Sequence, residues 1–370
     1  MINVFQPSLG YDELMAVGNV FKSCWIGRGA KVKEFEAAWA QHIGVDPAHV
    51  VATNSCTEAL FQAVRLLGLT TCDRVIVPTI HFVGAAQAVM GAGAFPVFCD
   101  VNSRTLNATA ETIEAQISPK TRAVILNHYG GVACNMTDIM TMLEKYPDIR
   151  LIEDAACAPT TRYKDKAVGT FGDIGVWSFD AMKIITTGDG GMMYFKDRAM
   201  ADRARTLLYM GMDGESGLSK AGDKWWEFEV KIMGARRAIM NDITAAIGIE
   251  QLKKIDEFIA KRERIFYKYA NYFMTLDHYF NSLSLLRNPP LYFYWIRTNR
   301  RDDLAAYLKQ QGIYTTFRYY PLHWAYKTGD SLPEAEFAAR TTLLLPYHQS
   351  LSDDDVNYVC DKIKEFYERN

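Results

Sequence analysis

The chain of 370 residues carries 41 lysines and arginines against 43 aspartates and glutamates, and 49% of it is hydrophobic. That length supports two domains, or one large domain with an appendage, around a substantial core, and excludes a short binding module. The near-neutral balance offers no basic face for nucleic acid or for an anionic membrane surface.

The opening MINVFQPSLGYDEL has no basic segment followed by an apolar core, so no secretory leader is expected and the expected location is cytoplasmic. Val32, Phe35, Trp39 and Ile43 recur at helical spacing in VKEFEAAWAQHIGV. CTEALFQAVRLLGL repeats that periodicity up to Gly68, and both stretches predict amphipathic helices. Short apolar runs then alternate with helical ones. RVIVP, AFPVFCDV, RAVILNHYG and IRLIEDAAC predict buried strands, with FVGAAQAVMGAG and NMTDIMTMLEKY as helices between them. Such alternation specifies an α/β fold on a mostly parallel sheet. Residues 211–230, glycine-rich and polar around Trp225 and Trp226, predict a long loop. One long helix is expected over residues 241–273, leading from a large domain, 1–250, into a smaller C-terminal α/β domain, 251–370. There LYFYWIRT, RRDDLAAYLKQQG, IYTTFRYY and SDDDVNYVCDKIKEFYER predict strand, helix, strand and terminal helix. The seven cysteines are odd in number and never spaced Cys-x-x-Cys, which argues against a disulfide framework and a structural zinc site.

Dinucleotide, P-loop, zincin and hydrolase motifs are absent. What stands out is Lys183, set among small residues and threonines in SFDAMKIITTGDGGMMYF. Upstream, the strand IRLIEDAAC ends in Glu153 and Asp154, and ligand sites of α/β sheets lie at strand carboxyl ends; Asp154 either faces such a ligand or caps the next turn. Ser55, Cys56 and Thr57 open a helix, where free amides and the helix dipole favour an anion, or where Ser55 is an ordinary cap. An anion cradle, a strand-end acid and a lysine on a strand-to-loop stretch beginning at Ser178 are the parts that pyridoxal phosphate requires. Its aldehyde needs an amine, its pyridine nitrogen a carboxylate, and its phosphate amides and hydroxyls.

EDAACA, FGDIGVWSFDAMKIITTGDGGMM and MNDITAAIGIEQL, in that order, resemble the pyridoxal-phosphate-dependent sugar aminotransferases of the DegT/StrS family. The likeness extends through WIGRGAKVKEFEAAWA, VPTIHFVGAAQAV, GIYTTFRYYPLH and LPYHQSLSDDDV, nearly the whole chain. It implies the fold type I transferase architecture, with Lys183 as the Schiff-base lysine and Asp154 on the pyridine nitrogen. Phe82 would stack on the cofactor ring, Cys56, Thr57 and Ser178 would bind phosphate, and Asn241 would reach the phosphate in the neighbouring subunit of a homodimer. The implied reaction moves an amino group, from glutamate, to a nucleotide-linked keto-6-deoxysugar, the cofactor cycling through its pyridoxamine form.

Candidate substrate contacts are the arginines Arg236 and Arg237, the stretch holding Arg318, Tyr320 and His323, and His128 at a strand end. Arginine suits a diphosphate because its planar fork donates bidentately; each of these residues also has an ordinary structural reading, His128 as a satisfied core histidine. Three positions depart from the family pattern: Cys56 stands where glycine is common, Cys157 where histidine or glutamine follows the Asp-Ala-Ala, and Asp189 where glutamate is usual. A keto-cyclitol acceptor would use the same chemistry. The family's sugar 3-dehydratases have histidine in place of the lysine, so Lys183 counts against that branch, and a non-catalytic sensor would be free to lose Lys183 or Asp154.

Overall fold

The computed structural model describes residues 1–212, 224, 226–274, 289 and 291–368, so most of the loop expected around Trp225 lies outside the described residues. Two helices, α1 (Tyr11–Lys22) and α2 (Ala30–Ile43), precede the sheet. Helix α2 buries Val32, Phe35, Trp39 and Ile43, as their spacing predicts, and stops at Gly44, whose φ of 78° is the left-handed conformation glycine adopts without strain. The Trp39 ring packs 5.0 Å from Phe179 and 5.6 Å from Trp177, and burying each such side chain contributes on the order of 2–3 kcal/mol.

From there strands and helices alternate: β1 (Val50–Thr53), α3 (Cys56–Leu66), β2 (Arg74–Pro78), α4 (Val83–Gly91), β3 (Phe95–Cys99), α5 (Ala110–Glu114), β4 (Thr121–Asn127), α6 (Met136–Leu143) and β5 (Arg150–Asp154). A two-residue hairpin, β6 (Arg162–Tyr163) with β7 (Lys166–Ala167), leads to β8 (Ile174–Ser178), β9 (Gly191–Phe195) and α7 (Arg198–Leu208). Seven strands form one sheet in the order β1-β9-β8-β5-β4-β2-β3. Only β9 runs against the others, pairing antiparallel with both β1 and β8. The free edge of β1 is closed by Glu36, a buried α2 residue whose Oε1 accepts the Ala52 amide at 2.8 Å. This is the α/β architecture with a mostly parallel sheet that the alternation specifies.

The expected long helix is two. Helices α8 (Asp242–Lys253) and α9 (Ile255–Met274) meet at Lys254, whose amide donates to Gln251 O at 3.1 Å and tightens the turn. Its amine is tied to Asp12 and Glu13 of α1 at 2.9 and 2.8 Å. The remaining elements are β10 (Tyr294–Arg297), α10 (Arg301–Gln310), α11 (Leu322–Ala325), α12 (Pro333–Thr341), β11 (Thr342–Leu345) and α13 (Asp353–Glu368). Strand β10 pairs with β11, not with IYTTFRYY. Residues 313–320 are irregular because their backbone is spent elsewhere: Ile313 bridges Ile2, Thr316 bridges Leu344, and Arg318 and Tyr319 line a cavity. Among the described residues no helix is long and apolar enough to cross a membrane.

Candidate active site

The parallel strands deliver their carboxyl ends to one side of the sheet, and a cavity of about 390 Å³ lies there. Helix α3 enters it first. Ser55 is its cap, the hydroxyl accepting the Glu58 amide at 3.1 Å, and the first-turn amides of Cys56 and Thr57, residues that line the cavity, are unclaimed by the helix. The helix start fits against β9 only because Gly191 has no side chain, since a Cβ there would stand 2.6 Å from the Cys56 nitrogen and 2.7 Å from Thr53 Oγ1.

Strand β5 contributes two neighbouring acids with opposite fates. Glu153 is fully buried and saturated: it accepts the amides of Gly169, Phe171 and Gly172 at 2.9, 2.6 and 2.6 Å and pairs with His128 at 3.1 Å. Asp154 accepts the Ala156 amide at 2.9 Å with Oδ1, while Oδ2 faces the cavity beside His81 Nε2 at 3.5 Å. Lys183 arrives from the loop between β8 and β9. Phe179 and Gly190 close that loop with a 3.0 Å hydrogen bond, and Asp180 turns it by accepting the Met182 amide on Oδ1 and the Lys183 amide on its carbonyl, both at 2.9 Å. The lysine Nζ then lies 3.7 Å from Cys157 Sγ and 4.7 Å from the centre of the Tyr292 ring.

Burial pushes the Cys56 thiol well above its usual range, with Asp154 adding to it, and raises Cys157, Tyr292 and Tyr319 likewise. For Lys183, burial acts downward, and Cys157 and the two tyrosines act upward strongly enough to raise it overall. Those partners are neutral near neutral pH, so the upward pull belongs to alkaline solution and desolvation governs the amine below it.

Ser55, Cys56, Thr57, Phe82, His128, Asp154, Cys157, Ser178, Lys183 and Arg318 all line this cavity. Phe82, at the start of α4, leaves 42% of its surface open to it and lies 5.9 Å from the Tyr319 ring. Other candidates are either committed to structural partners or placed elsewhere. His128 reaches the wall with both ring nitrogens occupied, one by Glu153 and one by the Cys134 amide at 3.2 Å, so it is a structural histidine and not a free substrate ligand. His323 is buried outside the cavity, its Nδ1 2.7 Å from Thr79 Oγ1. Arg236 pairs with Glu58 at 3.5 Å, Arg237 lies over the Tyr209 ring, and Tyr320 is exposed against Trp324. None of these three lines the cavity of its own chain. Asn241 is the exposed cap of α8, accepting the Thr244 amide at 3.0 Å.

His81, Asn127, Tyr129, Tyr292 and Tyr319 also line the cavity, though the sequence does not single them out. His81 had a visible signal, standing after a predicted strand and beside Phe82. The tyrosines come from distant stretches and meet only through the fold.

Two buried atoms at the cavity, His81 Nε2 and Asn127 Oδ1, have no hydrogen-bond partner. Unsatisfied groups of that kind call for a polar ligand. Together with the α3 amides, the Asp154 carboxylate, the Lys183 amine and the open Phe82 ring, they fit pyridoxal phosphate from its phosphate to its aldehyde. Among the described residues no cluster of metal-ligating side chains competes for that assignment. Fold and site thus define a fold type I pyridoxal-phosphate-dependent transferase.

The chain belongs to the DegT/DnrJ/EryC1/StrS aminotransferase family, whose profile matches residues 7–364. It is 44% identical, over 100% of its length and 98% of the relative's, to the dTDP-4-dehydro-2,3,6-trideoxy-D-glucose 4-aminotransferase of Saccharopolyspora spinosa. The crystal structure of the aminotransferase TlmJ from Streptoalloteichus hindustanus superposes with a TM-score of 0.91 at 44% identity, covering 100% of this chain and 99% of that one. Spr1654 of Streptococcus pneumoniae, solved in its PMP form, gives a TM-score of 0.91 at 25% identity, covering 99% of each chain. The protein is a sugar aminotransferase, and its cofactor is pyridoxal 5′-phosphate, alternating with the pyridoxamine form.

Proposed function

We propose that the protein transfers the amino group of glutamate to a nucleotide-linked keto-6-deoxysugar, at carbon 4. The observation that carries this is one cavity holding the Lys183 amine, the Asp154 carboxylate and the α3 amides together. The relative from Saccharopolyspora spinosa, a 4-aminotransferase of a dTDP-linked deoxysugar, supports the acceptor class.

Bound pyridoxal phosphate supplies an electron sink for the carbanion formed at the donor's α-carbon. The protein's share is positional and electrostatic. The amides of Cys56 and Thr57, with Ser55 and Ser178, hold the phosphate at the α3 N-terminus, where the helix dipole favours an anion. Phe82 covers one face of the ring. Asp154 would keep the pyridine nitrogen protonated, and Lys183 is the amine that would hold the aldehyde. Its freed Nζ would then move a proton between the donor's α-carbon and the carbon of the cofactor's aldehyde group, as general base and acid. The thiol and the phenols around the amine carry no charge near neutral pH, so none of them is a fixed counter-ion to it. Cys157 offers the ring at most a weak hydrogen bond, so cofactor grip falls more heavily on Asp154 and the phosphate cradle. Arg318, at the cavity wall with its guanidinium 3.5 Å from Met182 Sδ, is placed for an anionic part of the substrate.

The functional unit in this reading is a homodimer located in the cytoplasm. Leu14 and Phe21 of α1, with Trp25 and Ile26 after it, are 66%, 58%, 61% and 54% exposed, an apolar strip that a second copy would cover. Asn241, Arg236 and Arg237, outside their own chain's cavity, would then serve the neighbouring one. Residues 1–250 and 251–370 act as a large and a small unit, the latter joined by the first few residues through the Ile2–Ile313 bridge.

The test is direct. Incubation with glutamate and a dTDP-linked 4-keto-6-deoxysugar should yield 2-oxoglutarate and a sugar nucleotide whose mass shows an amine in place of the ketone. Turnover with a keto-cyclitol and none with any keto-sugar nucleotide would overturn the acceptor assignment.

A further inference from the structure

His81 stands three residues past the end of β2 and is 1% exposed. Its Nδ1 lies 3.0 Å from the Phe82 carbonyl oxygen, a group that only accepts, so Nδ1 carries a proton. In a neutral imidazole the other nitrogen is then an acceptor as well. Yet Nε2 faces Asp154 Oδ2 at 3.5 Å and has no hydrogen-bond partner. Two bare acceptors held together in a site 1% and 7% exposed repel each other, and one proton between them removes the conflict.

We propose that His81 is a positioning residue that shares one proton with Asp154, between Nε2 and Oδ2, and that the pair gives this proton up when the cofactor's protonated pyridine nitrogen docks on Asp154. The proposal rests on the assignment of Asp154 to that nitrogen. The proton count balances: before docking the pair holds one proton beyond that on Nδ1, the free cofactor brings a pyridinium proton of its own near neutral pH, and the shared proton leaves to solvent as an anionic Asp154 and a neutral His81 come to face the pyridinium. The carboxylate that His81 met as a bare charge is then countered by the pyridinium.

Burial holds the His81 imidazole below its ordinary range and the Asp154 carboxylate pulls it upward, so only contact with that carboxylate opposes loss of a proton from the ring. The other groups around the pair do not take over this role. Cys56 and Cys157, which interact with Asp154 across the cavity, are thiols raised by burial. Lys183 is turned towards Cys157, and His128 is committed to Glu153 on the neighbouring strand. His323, reaching the same turn through Thr79, lies beside Glu336 at 3.7 Å.

The experiment is calorimetric titration of the full-length apoenzyme with pyridoxal phosphate near neutral pH, in buffers of different ionisation enthalpy, which counts protons exchanged with solvent. His81→Phe removes both nitrogens, and His81→Gln restores a donor to Asp154 without a proton it can release. Both variants should release about one fewer proton per site than wild type, because Asp154 starts without the shared one. Protonation changes elsewhere on the cofactor cancel in the difference. A difference nearer zero than one overturns the proposal, and a Gln variant that behaves as wild type reduces His81 to a hydrogen-bond donor. If neither variant folds, ¹⁵N spectra of histidine-labelled wild type decide: the Nε2 signal should move towards that of a bare acceptor as cofactor is added, and an unmoved signal overturns the proposal. A wild type that binds no pyridoxal phosphate would instead bring down the Asp154 assignment itself.

Discussion

Glu153 and Asp154 are consecutive acids at the end of one strand, and their partners alone decide which is structural. Glu153→Gln replaces a carboxylate that accepts three amides, so it should cost about 2 kcal/mol of stability, read from denaturant unfolding. Asp154→Asn should leave the unfolding midpoint close to wild type while lowering turnover by at least about 100-fold, because it removes the charge that holds the pyridine proton. The reverse pattern would exchange their roles. Phe82→Ala offers a similar contrast: with 42% of the residue exposed, its loss should weaken cofactor affinity by about 1 kcal/mol and barely move the melting temperature. At this scale the sequence was informative about residue types and silent about partners. Lys183 and Asp154 were legible from strand ends and an out-of-place lysine. The saturation of His128 was not, because it depends on the Glu153 carboxylate and on the Cys134 amide across a turn.

Between elements, the site depends on how closely α3 can approach β9. Gly191→Ala should displace the first turn of α3, costing roughly 1–3 kcal/mol of stability together with a marked loss of cofactor affinity. Unchanged cofactor binding in that variant would show that the α3 amides are not the phosphate cradle. Strands β2, β3, β4 and β5 were readable, since each of these apolar runs adjoins a helical stretch. Strands β1 and β9 were not: VVAT is four residues long, and GMMYF follows a glycine-rich turn without β-branched residues to announce it. The division of the long helix at Lys254 escaped detection for a related reason, since the apolar pattern continues through a break fixed by two carboxylates of α1.

For the whole molecule, pH and assembly are the informative variables. His348 is 2% exposed, and burial pushes it down to about 4. The unfolded chain therefore binds a proton that the folded chain refuses, so stability should fall as pH drops from about 6.5 towards 4 and level off below, by up to about 3 kcal/mol from this group. The wild-type curve should diverge from that of His348→Gln across this window, and parallel curves would contradict the assignment. Leu14→Glu with Phe21→Glu should convert a dimer to a monomer in sedimentation and weaken cofactor binding, if Asn241 serves the neighbouring site. Nothing in one chain's periodicity discloses such a site, because Asn241, Arg236 and Arg237 do not line the cavity of their own chain. The most direct test of the central claim is borohydride reduction of the purified protein loaded with pyridoxal phosphate, followed by peptide mapping. The visible absorbance of the bound cofactor should vanish and the reduced group should map to Lys183; a reduced group on any other residue, or a protein that takes up no cofactor, would contradict it.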